Sequence, residues 1–133
     1  MRWLGYLVLG LLVVVPVGAL ERGEITLEAC HLDAPDTSSR PDAFCARIAV
    51  PEDHSAAAGR EIELRLAVLP AIRRDRRPDP LVLLAGGPGQ ASTEGFVSLL
   101  PVLERIRRER DLVLIDQRGT GRLSPLACEP VED

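Results

Sequence analysis

Two glycine-bearing turns in this chain have the residue types of loops that hold a reacting group. Residues 85–90 read Ala-Gly-Gly-Pro-Gly-Gln and residues 116–121 read Asp-Gln-Arg-Gly-Thr-Gly, each after a short apolar run. Acyl-transfer chemistry needs backbone N–H groups already aimed at the developing oxyanion, and glycine lets the chain approach a ligand closely. Because proline has no N–H, we predict that Gly87 is the donor and that its neighbours shape the loop, namely Gly86, Pro88 and Gly89.

Each turn also has a purely structural interpretation. Glycine and proline are common in strand-to-helix turns for steric reasons alone, and taken by itself the first turn favours that interpretation. In the second turn, Asp116 and Arg118 can brace the chain through charge-assisted hydrogen bonds. We predict that these two residues, with Gly119 and Gly121, shape the site and do not react. A phosphate-binding loop is disfavoured, since no Gly-Lys-Ser/Thr follows either turn.

The chain before the first turn predicts antiparallel strands. Residues 61–69 alternate apolar and polar side chains, which predicts a half-buried strand. Residues 45–50 predict a shorter strand, joined to it by a hairpin-like connection over residues 52–59. Residues 24–41 are rich in turn-forming residues and predict no regular element.

The chain around the two turns predicts a parallel unit. Residues 81–84 and 112–115 are continuous apolar runs, typical of strands covered on both faces. Apolar residues at three- and four-residue spacings between them predict a helix with Pro101 in its first turn. The expected fold class is therefore α/β, with antiparallel edge strands leading into a right-handed βαβ unit. One helix cannot cover both faces of two such strands, so we expect an incomplete sheet with apolar faces in water.

With this spacing and strand context, the two turns resemble the α/β-hydrolase fold, specifically the proline iminopeptidase and tripeptidyl-aminopeptidase-like serine peptidases. In that family a His-Gly-Gly-Pro-Gly-type loop supplies an oxyanion-hole N–H, and an Asp-Gln-Arg-Gly-x-Gly turn follows the next strand. Residues 86–89 match the first motif, with Ala85 where many members have His. Residues 48–53 are also similar to the secreted tripeptidyl-aminopeptidase-like branch. The similarity spans roughly residues 30–128.

The match does not extend to a catalytic triad. The family's nucleophile lies in a Gly-x-Ser-x-Gly elbow, followed by the acid and the histidine, whereas this sequence has no such elbow and both His31 and His54 precede the turns. The resemblance implies that residues 20–133 are the amino-terminal part of an exported serine hydrolase, an aminopeptidase acting on peptides when complete and inactive alone. The alternative is a non-catalytic exported protein that binds a peptide or partner chain by strand addition.

The first 19 residues have the pattern of a secretory signal peptide. Arg2 precedes an apolar run over residues 3–15, and small residues lead to Ala19, which predicts cleavage after Ala19 and export. The alternative is a membrane anchor, although the run is shorter than the ~20 residues of a spanning helix. A net charge of −4 and a solvated arginine cluster at residues 73–77 do not indicate nucleic-acid binding. After cleavage we expect no membrane association; the oligomeric state is left open.

The chain has three cysteines, Cys30, Cys45 and Cys128. Cysteines of exported proteins are expected to pair, and Cys30 and Cys45 are close enough in sequence to close a small loop. Cys128 is then left without an assigned partner. No Cys-x-x-Cys or His–Cys spacing suggests a metal ligand set, so we predict neither a metal nor a cofactor.

Overall fold

The computed structural model describes residues 19–22, 25–56, 58–87, 89–123 and 125–126. Its strands are β1 (Ala19–Arg22), β2 (Ile25–His31), β3 (Asp42–Pro51), β4 (Glu61–Leu69), β5 (Leu81–Leu83) and β6 (Leu112–Ile115). Between the last two strands come a short helix α1 (Ser92–Gly95), a 3₁₀ turn (Val97–Leu99) and helix α2 (Leu100–Arg107).

The described strands form one mixed sheet in the order β1-β2-β3-β4-β6-β5. The first four pair antiparallel with their chain neighbours. Strand β6 lies between β4 and β5, antiparallel to the first and parallel to the second. The chain therefore leaves β5, passes through α1 and α2, and returns beside β5. The predicted order of antiparallel strands followed by a parallel strand–helix–strand unit is confirmed, as a partial α/β fold.

Most predicted strands are present, but the first part of the sheet was missed. The predictions for residues 61–69 and 112–115 match β4 and β6, whereas β5 is one residue shorter than predicted and β3 is longer at both ends. The prediction of no regular element over residues 24–41 is wrong, because β2 lies there. In β2 the apolar alternation is short, over Ile25, Leu27 and Ala29, and only Leu27 is buried; backbone pairing on both sides extends the strand to His31.

Strand β4 is covered on both faces in its second half. Its first residues alternate between exposed and half-buried, as predicted, but the last four are all buried. Ala67 and Leu69 pack on the helix side, with Leu112 and Leu114 of β6. Leu66 and Val68 pack on the opposite side in a smaller cluster that includes Leu27. The prediction of a half-buried strand is therefore wrong for this half of β4, because a separate apolar cluster packs on each of its two faces.

The sequence predicted that both faces of the two parallel strands would leave apolar side chains in water, and the structure shows this on one face only. Leu112 and Leu114 are completely buried, so the expectation that the faces of β6 stay exposed is wrong on the helix side. On the other side, Val82 and Leu84 are 48% and 56% exposed. Helix α2 has Pro101 in its first turn, as predicted. Of the helices that the structure describes, none has the length and apolar content needed to cross a membrane.

Candidate functional site

The two glycine turns lie at the same edge of the sheet. Strands β5 and β6 are parallel and in register, with Leu81 opposite Leu112 and Leu83 opposite Leu114. Residues 85–90 leave the end of β5 and lead into α1, while residues 116–121 leave the end of β6. Open α/β sheets bind their ligands at the carboxyl ends of parallel strands, so both turns occupy the edge where a ligand is expected.

Asp116 connects the second turn to the start of α1. Its carboxylate accepts two hydrogen bonds from Thr93, one from the backbone N–H to Oδ1 and one from the hydroxyl to Oδ2, both 2.8 Å long. Asp116 is only 3% exposed and Thr93 is completely buried. Both carboxylate oxygens are therefore used to hold α1 beside the end of β6. The sequence suggested that Asp116 could brace its own turn; in the structure its carboxylate holds helix α1, which follows the first turn, and Thr93 was missed.

Ser92 closes the first turn. Its hydroxyl accepts a 2.8 Å hydrogen bond from the N–H of Ala85, so the two ends of the glycine loop are tied together. Ser92 is completely buried and Ala85 nearly so. This residue was also missed at the sequence level. The available signal was the Ser-Thr pair at the point where the loop becomes a helix, because small hydroxyl residues bond to backbone groups at helix starts and turns.

Gly87 has a backbone N–H that takes part in no hydrogen bond with another described residue. Its φ is +86°, a conformation that glycine adopts without cost. Apart from its two chain neighbours, no described residue has a heavy atom within 4 Å of the point where a side chain would begin. The Gly87 carbonyl accepts a 3.4 Å bond from Gln90, but no hydrogen bond among the described residues uses the Gly87 N–H. Pro88, predicted to shape this loop, lies outside the described residues.

The second turn is packed tightly against Asp116. Gly121 has φ +67°, and a Cβ placed there would lie 2.8 Å from Asp116 Oδ2. Gly119 also has a positive φ, +73°. The Gln117 carbonyl accepts both the N–H and the hydroxyl of Thr120, at 3.1 and 2.8 Å. Glycine at position 121 therefore leaves room for the carboxylate that holds α1.

Arg118 fastens the second turn to the connection between β3 and β4. One of its terminal nitrogens donates to the Glu52 carbonyl across 2.7 Å, and the other contacts Nε2 of His54. A guanidinium can only donate, so His54 accepts through an unprotonated Nε2. The contacts of Arg118 therefore lie outside its own turn. His54 is an exposed loop residue bound by this arginine, and His31 pairs with Asp42 at 2.9 Å.

Cys30 and Cys45 form a disulfide between neighbouring strands β2 and β3, with their Cα atoms 5.9 Å apart. This is the pair expected from the sequence; Cys128 lies outside the described residues. Over the described ranges, no group of three or more His, Cys, Asp or Glu side chains could hold a metal ion.

Comparisons with known proteins connect the chain to hydrolases. No protein-family model matches it. Over 103 residues, it is 32% identical to carboxylesterase B of Mycobacterium tuberculosis and to a protein of Mycobacterium bovis whose name assigns it only to the hydrolases. The match covers 75% of this chain but 19% of each relative, so the chain spans about a fifth of the length of the curated relatives it matches. Through that shared segment, this chain is a sequence relative of proteins named as hydrolases.

Proposed function

We propose that residues 85–121 form the oxyanion-binding part of a serine-hydrolase site of the α/β-hydrolase type. In this proposal Gly87 donates its N–H to the oxyanion, and the nucleophile, acid and base lie outside these 133 residues. The observation that carries it is the position of the Gly87 N–H, which bonds to no other described residue, at the end of the sheet where β5 and β6 both finish.

The chemistry follows from the position of that donor. When a serine attacks a carbonyl, negative charge develops on the carbonyl oxygen, and a preorganised N–H stabilises it more than it stabilises the neutral substrate. Loss of one such donor lowers kcat by about 10²- to 10³-fold. The bonds from Ala85 to Ser92 and from Thr93 to Asp116 hold the loop in place before substrate arrives. In this proposal the side chains of Ser92, Thr93 and Asp116 position the loop and do not react with the substrate.

Within the hydrolases, we propose an aminopeptidase that releases amino-terminal residues or short peptides. The support is the resemblance of the two turns and of residues 48–53 to tripeptidyl-aminopeptidase-like enzymes. One of the relatives is named as a carboxylesterase, and ester and amide cleavage share the acyl-enzyme step. Aminopeptidase and carboxylesterase activity are distinguished by comparing kcat/KM for aminoacyl and peptidyl anilides with kcat/KM for simple acyl esters. A gene product that cleaves only the esters would contradict the aminopeptidase assignment.

The test of the oxyanion role uses the gene product at its full natural length, treated with a fluorophosphonate probe that labels activated serines. We expect labelling of a serine outside residues 1–133 in that product. Gly87→Ala should lower both the labelling rate and kcat strongly, because alanine resists φ +86° and turns the N–H away. Gly89→Ala is the matched control, since Gly89 has φ +85° and equally open surroundings.

Two results would contradict the proposal. One is labelling of a serine within the 133 residues, which would put the nucleophile inside this chain. The other is an equal loss of activity in Gly87→Ala and Gly89→Ala, which would make the effect one of loop strain rather than of a specific donor.

We also propose export with cleavage after Ala19. The support is the signal-like sequence of residues 1–19 together with the disulfide between Cys30 and Cys45, a bond typical of oxidising compartments. Amino-terminal sequencing of the protein recovered from its native cells should begin at Leu20. A protein that still begins at Met1 would indicate a retained anchor or no export.

A second candidate function is binding of a partner chain by strand addition. Strand β5 forms one edge of the described sheet, and Val82 and Leu84 beside that edge are about half exposed. Such an edge can accept an extended peptide through backbone hydrogen bonds. A natural-length product that resists fluorophosphonate labelling but purifies as a defined complex with a peptide or second chain would favour this function over hydrolysis.

A further inference from the structure

A cavity of about 540 Å³ lies against the antiparallel strands of the sheet. Its walls come from β2, β3 and β4 and from the chain just after the second turn. Three arginines line it, Arg47, Arg65 and Arg122, together with a single acidic residue, Glu28. We call this the arginine cavity. The disulfide cysteines form part of its wall, so β2 and β3 are covalently joined beside it.

Two of these arginines face each other directly. Arg47 of β3 and Arg65 of β4 are register partners in an antiparallel pair, which puts their side chains on the same face of the sheet and close together. Like charges in directly opposite positions destabilise a sheet. Arg122 then adds a third positive charge from a different part of the chain. The fold thus gathers repelling charges at one cavity, an arrangement that a bound anion would relieve.

The carboxylates nearby neutralise this charge only in part. Arg47 pairs with Glu63 at 3.5 Å and Arg122 pairs with Glu94 at 3.2 Å. Each guanidinium has five N–H donors, so these single contacts leave most of its donors available. Within the described part of the chain, Arg65 makes no ion pair, although its side chain is half-buried. Asp116 follows β6 opposite Arg65, to whose carbonyl it donates its N–H, but both of its carboxylate oxygens accept hydrogen bonds from Thr93. Arg65 is therefore the least compensated of the three arginines.

We propose that the arginine cavity binds an oxyanion of carboxylate or phosphate type, with Arg65 as its principal contact and Arg47 and Arg122 on either side. Planar guanidinium groups bind such oxygens in pairs of parallel hydrogen bonds. Glu28 limits the affinity by repelling the anion. The site stands on the charges of this cavity alone and does not depend on the proposed hydrolase role.

The test is an NMR titration of the gene product at its natural length, following the arginine Nε–H signals, with sodium acetate and inorganic phosphate as probes at constant ionic strength. We expect saturable shifts of the Arg65 and Arg122 signals, and the tighter of the two probes identifies the anion class. Arg65→Gln should weaken binding by about tenfold or more, the size expected for a charge-assisted hydrogen bond. Arg105→Gln, an exposed arginine of α2 away from the cavity, is the control of equal charge change.

Glu28→Gln should change the anion affinity in the opposite direction to Arg65→Gln. It removes the repelling charge from an exposed side chain, so it should tighten binding without disturbing the fold. This variant decides the question if Arg65→Gln fails to fold. Shifts that stay linear and unsaturated for both probes would overturn the site. So would equal weakening in Arg65→Gln and Arg105→Gln, or an unchanged affinity in Glu28→Gln.

Discussion

Replacing Thr93 with valine removes the hydroxyl that donates to Asp116 Oδ2 and keeps the shape of the side chain. The bond is 2.8 Å long, and both residues are buried. The backbone N–H of Thr93 still reaches Oδ1, so the carboxylate keeps one of its two bonds from α1. The variant therefore probes a single buried hydrogen bond between the end of β6 and the helix that follows the glycine loop.

The expected loss follows from the charge and burial of the acceptor. A hydrogen bond to an ionised group contributes about 1.5–3 kcal/mol, and water cannot easily replace it at a carboxylate that is 3% exposed. We expect Thr93→Val to lower the free energy of unfolding by about 2 kcal/mol. For a chain of this length that corresponds to a fall in Tm of roughly 7 °C.

Thr120→Val is the matched control, with the same chemical change in a neighbouring turn. The Thr120 hydroxyl donates to the Gln117 carbonyl, also across 2.8 Å, but the acceptor is uncharged and belongs to an exposed residue. Its loss should cost at most about 0.5–1 kcal/mol. Equilibrium urea unfolding of both variants gives the comparison, from the midpoints at an unchanged slope. Equal losses in the two variants would refute the reasoning, because burial and charge at Asp116 would then contribute nothing.

Three further predictions concern the packing, the covalent bond and the surface charges. Gly121→Ala should destabilise the protein by roughly 2–4 kcal/mol in urea unfolding, because alanine is strained at φ +67° and its Cβ would lie 2.8 Å from Asp116 Oδ2. Replacing Cys30 and Cys45 together by serine should cost about 3 kcal/mol by the same measurement, since the bond closes a loop over a separation of 15 residues. In a carboxyl NMR titration, the pKa of Asp79 should lie below its ordinary 3.8, chiefly because an arginine side chain donates a hydrogen bond to it. A lowered folded-state pKa means that this contact stabilises the protein above pH 3.8 and that its contribution is lost as the pH falls through the folded pKa.

Each of these has a control. Gly86→Ala should be close to neutral, since Gly86 has no positive φ and open surroundings; an equal loss there would contradict the packing argument. Reducing the unmodified protein should reproduce the loss seen in the double serine variant, and no change on reduction would contradict the loop argument. Arg110→Gln should raise the pKa of Asp79 toward its ordinary value. If that pKa stays low, the hydrogen bond from Arg110 is not its cause.

The sequence predicted the elements whose side chains carry a strong apolar pattern. Strands β4 and β6 were located residue for residue, and both turns lie at the ends of parallel strands as expected. These features depend on local composition, because burial selects apolar side chains at fixed spacings. The same reasoning gave the position of Pro101 in α2.

What the sequence did not predict depends on contacts between distant residues. Strand β2 has only a short apolar alternation within a turn-rich stretch, and its full length follows from backbone pairing with its neighbours. The bond between Thr93 and Asp116 joins residues 23 apart, and Arg118 reaches His54 across 64. Such contacts produce no periodic pattern in the sequence, because the residues of each pair come together only when the sheet has formed. The arginine cavity was missed for the same reason, since Arg47 and Arg65 become neighbours only when β3 and β4 pair.

The position of β6 between β4 and β5 sets the order in which the described strands can pair. Strands β1 to β4 pair with chain neighbours, so each hairpin can form as soon as it has been synthesised. In the described sheet, β5 has β6 as its partner, and β6 follows both helices in the chain. During synthesis β5 therefore stays unpaired until both helices have emerged and β6 inserts between two strands at once. The step that pairs β5 with β6 is thus the same step that brings the two glycine turns together, so the carboxyl ends of these parallel strands meet only after the antiparallel part of the fold has formed.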